Sequence, residues 1–417
     1  MKTIDHSKLR FEEEELLVKI LEDTFALKSY YDIFNNEEEL KSVVNSLHST
    51  GIKLNKVVAP RLYQICSNVK SILNYDEDID FYIISSVEFN AYSINGFGYV
   101  PHMICLTSSL VQIFTDDELA FVIGHEIGHL MFKHSQMLLV NHLITSSKSR
   151  KPSAQILNLF ARWNKYAEIS SDRAGYIAQP DLETIGKVFF KLASGLSEEH
   201  LNFNISEYMK QLEYIKEMPR IEFFASHPNH LVRLKCLELF SKSELYPECP
   251  QTKVSCKNLL AETYEILDLL EYHPRNEDQK CAVEFIACVG MYIALADEKI
   301  NPKESESLYN LLSRYTSQPE IYLTFKDFQE VIDRKNAICE YYVQTKNDMK
   351  YTLFEQAVYI AVCDGKLDEP EKKLLIEIAN RLQIDENRRN QIILNNTGKR
   401  IENFCIFGVE TQIYGLT

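Results

Sequence analysis

Residues Thr115 to His134, T-D-D-E-L-A-F-V-I-G-H-E-I-G-H-L-M-F-K-H, decide how this chain reads. Thr115 and Glu118 have the spacing of a capping box. Asp116 and Asp117 suit the positive end of a helix dipole, and Leu119, Val122, Ile123, Ile127 and Leu130 recur at helical spacing. The segment predicts a helix, and within it His125, Glu126 and His129 spell H-E-x-x-H. Residues four apart on a helix share a face. Two imidazoles can then converge on one Zn²⁺ at roughly 2.0–2.1 Å, with Glu126 projecting beside the metal where a water would sit. The pattern also arises by chance on amphipathic helices. Here the apolar flanks imply burial, and two histidines and a glutamate buried without a partner would be costly to desolvate.

A third ligand decides the class of site. A metzincin would need a histidine six residues after His129, where Ser135 stands, and a glycine where Phe132 stands. His134 is one residue out of place and reads as a structural histidine or one that supports a ligand. The other solution is a carboxylate from a later helix. Residues 163 to 179, W-N-K-Y-A-E-I-S-S-D-R-A-G-Y-I-A-Q, supply Glu168 and, one turn on, Asp172. Glu168 can complete a His₂Glu site. Asp172, on the same face, can accept a hydrogen bond from a ligand histidine's other ring nitrogen. Standing alone, an E-x-x-x-D pair would read as a solvated face.

V-I-G-H-E-I-G-H, then E-I-S-S-D-R-A-G, then S-H-P-N-H-L-V-R resemble the gluzincin peptidases of the HtpX and CAAX-prenyl-protease type. F-N-A-Y-S-I-N at 89 to 95 and I-C-L-T-S-S-L-V at 104 to 111 extend the resemblance upstream, so that it covers roughly residues 60 to 240. It implies one Zn²⁺ per chain on His125, His129 and Glu168, with Glu126 as general base and later proton donor. It implies that His227, in S-H-P, hydrogen-bonds the developing oxyanion. Arg233 would contact substrate or form a salt bridge. Asn90 and Ala91 would lie on an edge strand against which substrate backbone pairs.

The net charge of −15 argues against nucleic-acid binding. Ten irregularly spaced cysteines and the lack of an apolar N-terminal run suggest a reduced, cytoplasmic protein. No apolar stretch is long enough for a transmembrane segment, so a prenylated substrate is not expected. Residues 1–75 read as an N-terminal helical segment packing on the peptidase, with the acidic run Glu12 to Glu15 as a solvated face. Residues 80–111 carry strand-like composition around an N-G-F-G turn. The polar stretch 143–155 suggests a lid. The peptidase core is placed at 76–240 and a linker with a connecting helix at 241–275.

An all-helical domain over 276–417 contains an internal repeat. A-L-A-D-E-K-I-N-P-K-E-S-E-S-L aligns with A-V-C-D-G-K-L-D-E-P-E-K-K-L-L at an offset of 67 residues, pairing Asp297 with Asp364 and Glu304 with Glu371. These acids either cap helices or bind a divalent cation. Calcium binding of the EF-hand kind is not expected, because in the second copy Leu375 stands where that loop needs a glutamate. The segments resemble the TerB-like domain of tellurite-resistance proteins. The expected fold class is α+β, mainly α: a zincin-like metallopeptidase with a small β-sheet beside the active-site helix, then an all-α domain. The expected function is a zinc-dependent endopeptidase of proteins or peptides, regulated or targeted through a ligand or protein at the C-terminal domain, and latent in one version. The other class is a zinc-containing, chaperone-like or partner-binding stress or defence protein.

Overall fold

The computed structural model describes residues 5–25, 37–146, 152–200, 203–215, 228–246, 248, 254–295, 302–363 and 367–396. Two units divide the chain: Met1–Pro152 with Leu159–Glu271, and Ser153–Asn158 with Tyr272–Thr417. The stretch 241–275 is therefore not a free linker. Its helix Cys256–Leu267 packs on helix His230–Ser241 inside the first unit, which continues to Glu271.

The first unit holds a four-stranded mixed sheet, with β1 at Gly51–Lys53, β2 at Ile79–Ile84, β3 at Ala91–Ile94 and β4 at His102–Thr107. The strand order is β1-β2-β4-β3, with β2 parallel to β4 and both outer strands antiparallel to their neighbours. In β4, Met103, Ile104, Cys105 and Leu106 are all buried, as a central strand covered on both faces requires. The expectation of helices alone before residue 75 is corrected by β1, which follows helix Glu37–Thr50. β1 is a three-residue edge strand with Ile52 56% exposed, so it carries no alternating apolar pattern to read. Gly51 is required there, because a Cβ would stand 2.8 Å from the Ile83 carbonyl oxygen.

β4 runs through the short helix Ser108–Ile113 into helix Asp116–Met131, capped at Thr115 by the box its sequence predicts. The Glu118 N–H donates to Thr115 Oγ1 at 3.3 Å and the Thr115 N–H to Glu118 Oε2 at 2.8 Å. Lys191 Nζ holds the same Glu118 oxygen at 2.8 Å. Helices His134–Ser146 and Ala154–Ala178 follow. Residues 143–146 and 154–155, within the expected lid, are thus helical, and 147–151 lie outside the described residues.

Helix Ala154–Ala178 crosses Asp116–Met131 at very short range. A Cβ on Gly124 would meet Ala178 Cβ at 2.6 Å, one on Gly128 would meet Ser171 Cα at 2.8 Å, and one on Gly175 would meet Phe121 at 2.8 Å. Three glycines let main chain approach main chain along this seam.

In the second unit, helices Pro302–Leu312 and Glu369–Arg381 begin 67 residues apart, as do Pro319–Tyr322 and Glu386–Asn396, so the sequence repeat is a repeat of structure. Helices Glu277–Leu295, Phe328–Gln344 and Met349–Ala361 bury Phe285, Ile286, Tyr342, Phe354 and Val358 in its core. Asp297 and Asp364 lie outside the described residues. Glu371 accepts the Asp368 N–H at 2.7 Å in a capping box.

Candidate metal centre

His125 and His129 lie one turn apart on a helix whose residues from Phe121 to Leu130 are all buried, and Glu168 reaches them across the glycine seam. The ligand atoms of these three residues lie within 4.8 Å of one another. His125 Nε2 and His129 Nε2 are 3.0 Å apart, Glu168 Oε1 is 3.4 Å from His129 Nε2, and Glu168 Oε2 is 3.7 Å from His125 Nε2. Tetrahedral ligands about 2.0–2.1 Å from one Zn²⁺ are about 3.4 Å from each other, the middle of this range.

The other ring nitrogens are already engaged. His125 Nδ1 is 2.9 Å from Asp172 Oδ1, so it carries the proton that this acceptor requires. His129 Nδ1 is 2.8 Å from His134 Nδ1, and His134 Nε2 is 3.1 Å from Glu14 Oε1. With both Nδ1 atoms turned outward, the two Nε2 atoms face each other at 3.0 Å, where one cation can be shared between them.

Charge agrees with this. Arg233 is 5% exposed, donates to Asp172 through Nε at 2.8 Å and Nη2 at 2.6 Å, and lies 3.0 Å from Glu168 Oε2 through Nη1. Burial disfavours its charged form, but Asp172 and Glu168 outweigh that and hold its pKa above the usual value. Burial likewise raises the Asp172 pKa, yet Arg233 and His125 bring it below the ordinary carboxylate range. Asp172 and Glu168 share the one Arg233 guanidinium, while His125, His129 and Glu168 keep one ligand atom each turned toward a common point. The residues present fit a metal ion.

Of the two roles expected for Arg233, the geometry supplies the ion-pairing one: its guanidinium is taken up by Asp172 and Glu168 and lies 4.8 Å from the Phe189 ring centre. It sits on helix His230–Ser241, whose N-cap Asn229 accepts the Leu231 N–H at 2.9 Å. His227, just before, lies outside the described residues. Asn90 is exposed beside the edge strand β3, with its N–H donating to Thr107 Oγ1 at 3.0 Å and its carbonyl accepting from the Thr107 N–H at 3.0 Å. Ala91 opens that strand.

Several residues of the centre were not singled out from sequence. Gly124, Gly128 and Gly175 set the approach of the two helices, and the signal for the first two was a glycine directly before each motif histidine. Glu14 corrects the solvated reading of Glu12 to Glu15, because it is fully buried. Its signal was its position: with Phe11, Leu17 and Leu21 it falls on one face of helix Glu12–Phe25 or its approach.

Residues 59–240 match the model of peptidase family M48, and residues 283–394 match that of tellurite resistance protein TerB. Among curated proteins, the plastoglobule-localized metallopeptidase 48, chloroplastic, of Arabidopsis thaliana is 26% identical over 215 residues, covering 47% of this chain. The match spans 61% of that relative, less than two thirds of its length. No solved structure matches the chain. The match over 59–240, with its His-His-Glu centre, identifies a peptidase domain of family M48 followed by a TerB domain.

Proposed function

We propose that this protein is a zinc-dependent endopeptidase acting on proteins or peptides, with one Zn²⁺ held by His125, His129 and Glu168. The observation that carries this reading is the convergence of two imidazole lone pairs and one carboxylate beside Glu126, within a buried helix. When bound, the ion acts as a Lewis acid that polarises the scissile carbonyl and lowers the pKa of a water toward about 7. Glu126 takes the proton of the attacking water and returns it to the leaving amine. Asp172 and Arg233 hold His125 and Glu168 in place. β3, whose outer side pairs with no other described strand, offers an edge to which substrate backbone adds as a further strand near Asn90 and Ala91. His227 is assigned to the oxyanion on its S-H-P motif alone.

Glu126→Gln keeps the volume and removes the base. The full-length variant is expected to bind zinc at one ion per chain while peptide hydrolysis falls below detection; hydrolysis at the wild-type rate would refute the assignment. His227→Ala should lower kcat by roughly 10²–10³-fold with little change in KM, the cost of a lost oxyanion donor.

The second unit is assigned a regulatory or targeting role. In its support, the helix that supplies Glu168 begins in that unit, where the Ala154 N–H donates to Asn310 Oδ1 at 2.9 Å. A chain ending at Glu271 is expected to differ in peptidase activity from the full protein, and equal activity would remove this role. No described helix is long and apolar enough to cross a membrane. A cytoplasmic setting is supported by Cys66, Cys105, Cys236 and Cys339, all buried as free thiols.

A further inference from the structure

The four consecutive glutamates at the start of the N-terminal helix are not equivalent. Glu14 is wholly buried and held from three sides: Arg10 donates to Oε1 through Nε at 3.0 Å and Nη2 at 2.8 Å, Ser170 Oγ donates to Oε2 at 2.5 Å, and His134 Nε2 lies 3.1 Å from Oε1. The Phe11 N–H fixes Ser170 in turn, at 2.9 Å. Arg10 and Ser170 between them donate to both of its oxygens, so it stands in this chain of contacts as an acceptor.

An ionised carboxylate only accepts hydrogen bonds, which has consequences along the line of contacts. His134 Nε2 must carry the hydrogen that points at Glu14. A neutral His134 then presents a bare Nδ1, which is 2.8 Å from His129 Nδ1 and 3.3 Å from Ser171 Oγ. The hydrogen between the two imidazoles therefore belongs to His129 Nδ1. That leaves His129 Nε2 as a lone pair aimed at Glu168 and His125. The reverse tautomer of His134 would turn His129 into an Nε2–H donor, unable to bind a metal. Trp163, whose ring centre is 5.7 Å from that of His134, packs edge-on and steadies the ring.

We propose that Glu14, acting through His134, fixes the tautomer in which His129 presents Nε2 to the metal, so that the N-terminal helix supplies a positioning residue to the centre. This rests on reading His125, His129 and Glu168 as the metal site. The two ligand imidazoles are thus oriented in different ways: His125 directly by Asp172, His129 at one remove through a second imidazole. Glu14 lies outside the residues 59–240 that match the peptidase family.

The test uses the full chain and reads zinc affinity by chelator competition, the visible spectrum of the Co²⁺-loaded protein, and thermal unfolding of the metal-free form. Glu14→Gln retains Oε1 as an acceptor for His134 and Arg10, and its zinc affinity is expected to stay within about threefold of wild type. Glu14→Leu keeps similar volume without an acceptor. It should lose roughly 10–100-fold in zinc affinity, the usual cost of removing a group that orients a ligand, and shift the Co²⁺ bands. Leu17→Ala weakens docking of the same helix without touching the relay, and should lower the melting temperature with affinity unchanged. Glu14→Ala is read in the same way if the leucine variant does not fold. Affinity of the leucine or alanine variant within threefold of wild type overturns the relay. So does a Leu17→Ala loss as large as theirs, which would trace the effect to docking. A wild-type chain that binds no zinc overturns the metal centre itself, a result distinct from both.

Discussion

Arg233 and Glu14 show how a buried charge acquires a role from its partners. Arg233 faces Asp172 and Glu168 with all three side chains nearly inaccessible, so Arg233→Met should leave two carboxylates without a counter-charge. The expected loss is about 3–5 kcal/mol of stability in the metal-free protein, with more than the usual recovery when zinc is added, read from melting temperatures with and without the ion. For Glu14 the sign follows from a folded pKa of about 2 against an ordinary 4.5. Its contribution, on the order of 3 kcal/mol, is present above pH 4.5 and disappears as pH falls toward 2. Wild type should therefore exceed Glu14→Gln in stability at neutral pH, the gap closing on acidification between those values; a gap independent of pH would contradict the depressed pKa.

At the scale of elements, the seam between helices Asp116–Met131 and Ala154–Ala178 is a tight constraint on the first unit. Gly128→Ala would place a Cβ 2.8 Å from Ser171 Cα and 3.0 Å from Ala174 Cβ. The helices must then separate by some tenths of an ångström, at a cost of about 1–3 kcal/mol and with weaker zinc binding, because Glu168 stands on the displaced helix. Calorimetric melting and zinc titration of this variant check both. Much of this geometry was readable. Capping at Thr115, the spacing of His125 and His129, and Glu168 with Asp172 one turn on are local consequences of helical period. β1 was not readable, because an exposed edge strand lacks alternation. Nor was the burial of Glu14, because a run of four acids outweighs the single fact that one of them shares a face with Phe11 and Leu17. The closeness of the seam is encoded only as the absence of side chains, which no periodicity reports.

At the scale of the whole molecule, the division into units does not follow the order of the chain. Ser153–Asn158 belongs with Tyr272–Thr417, so the helix that carries Glu168 starts in one unit and ends in the other. Asn310 caps its first residue, and Asn158 Nδ2 donates to Ser313 Oγ at 3.3 Å. Asn310→Ala should cost about 1 kcal/mol, the value of a helix N-cap, and raise amide hydrogen exchange at Ala154 and the residues after it. Protection there equal to wild type would show that the cap contributes nothing. The same feature bears on how the protein is made. Asn310 follows Ala154 by 156 residues. At ribosomal speeds of about 5–20 residues per second, the leading turns of the Glu168 helix wait roughly 10–30 s for their partners. The residues up to Pro152 are translated first, and the opening turns of helix Ala154–Ala178 meet Asn310 and Ser313 only once those residues have emerged.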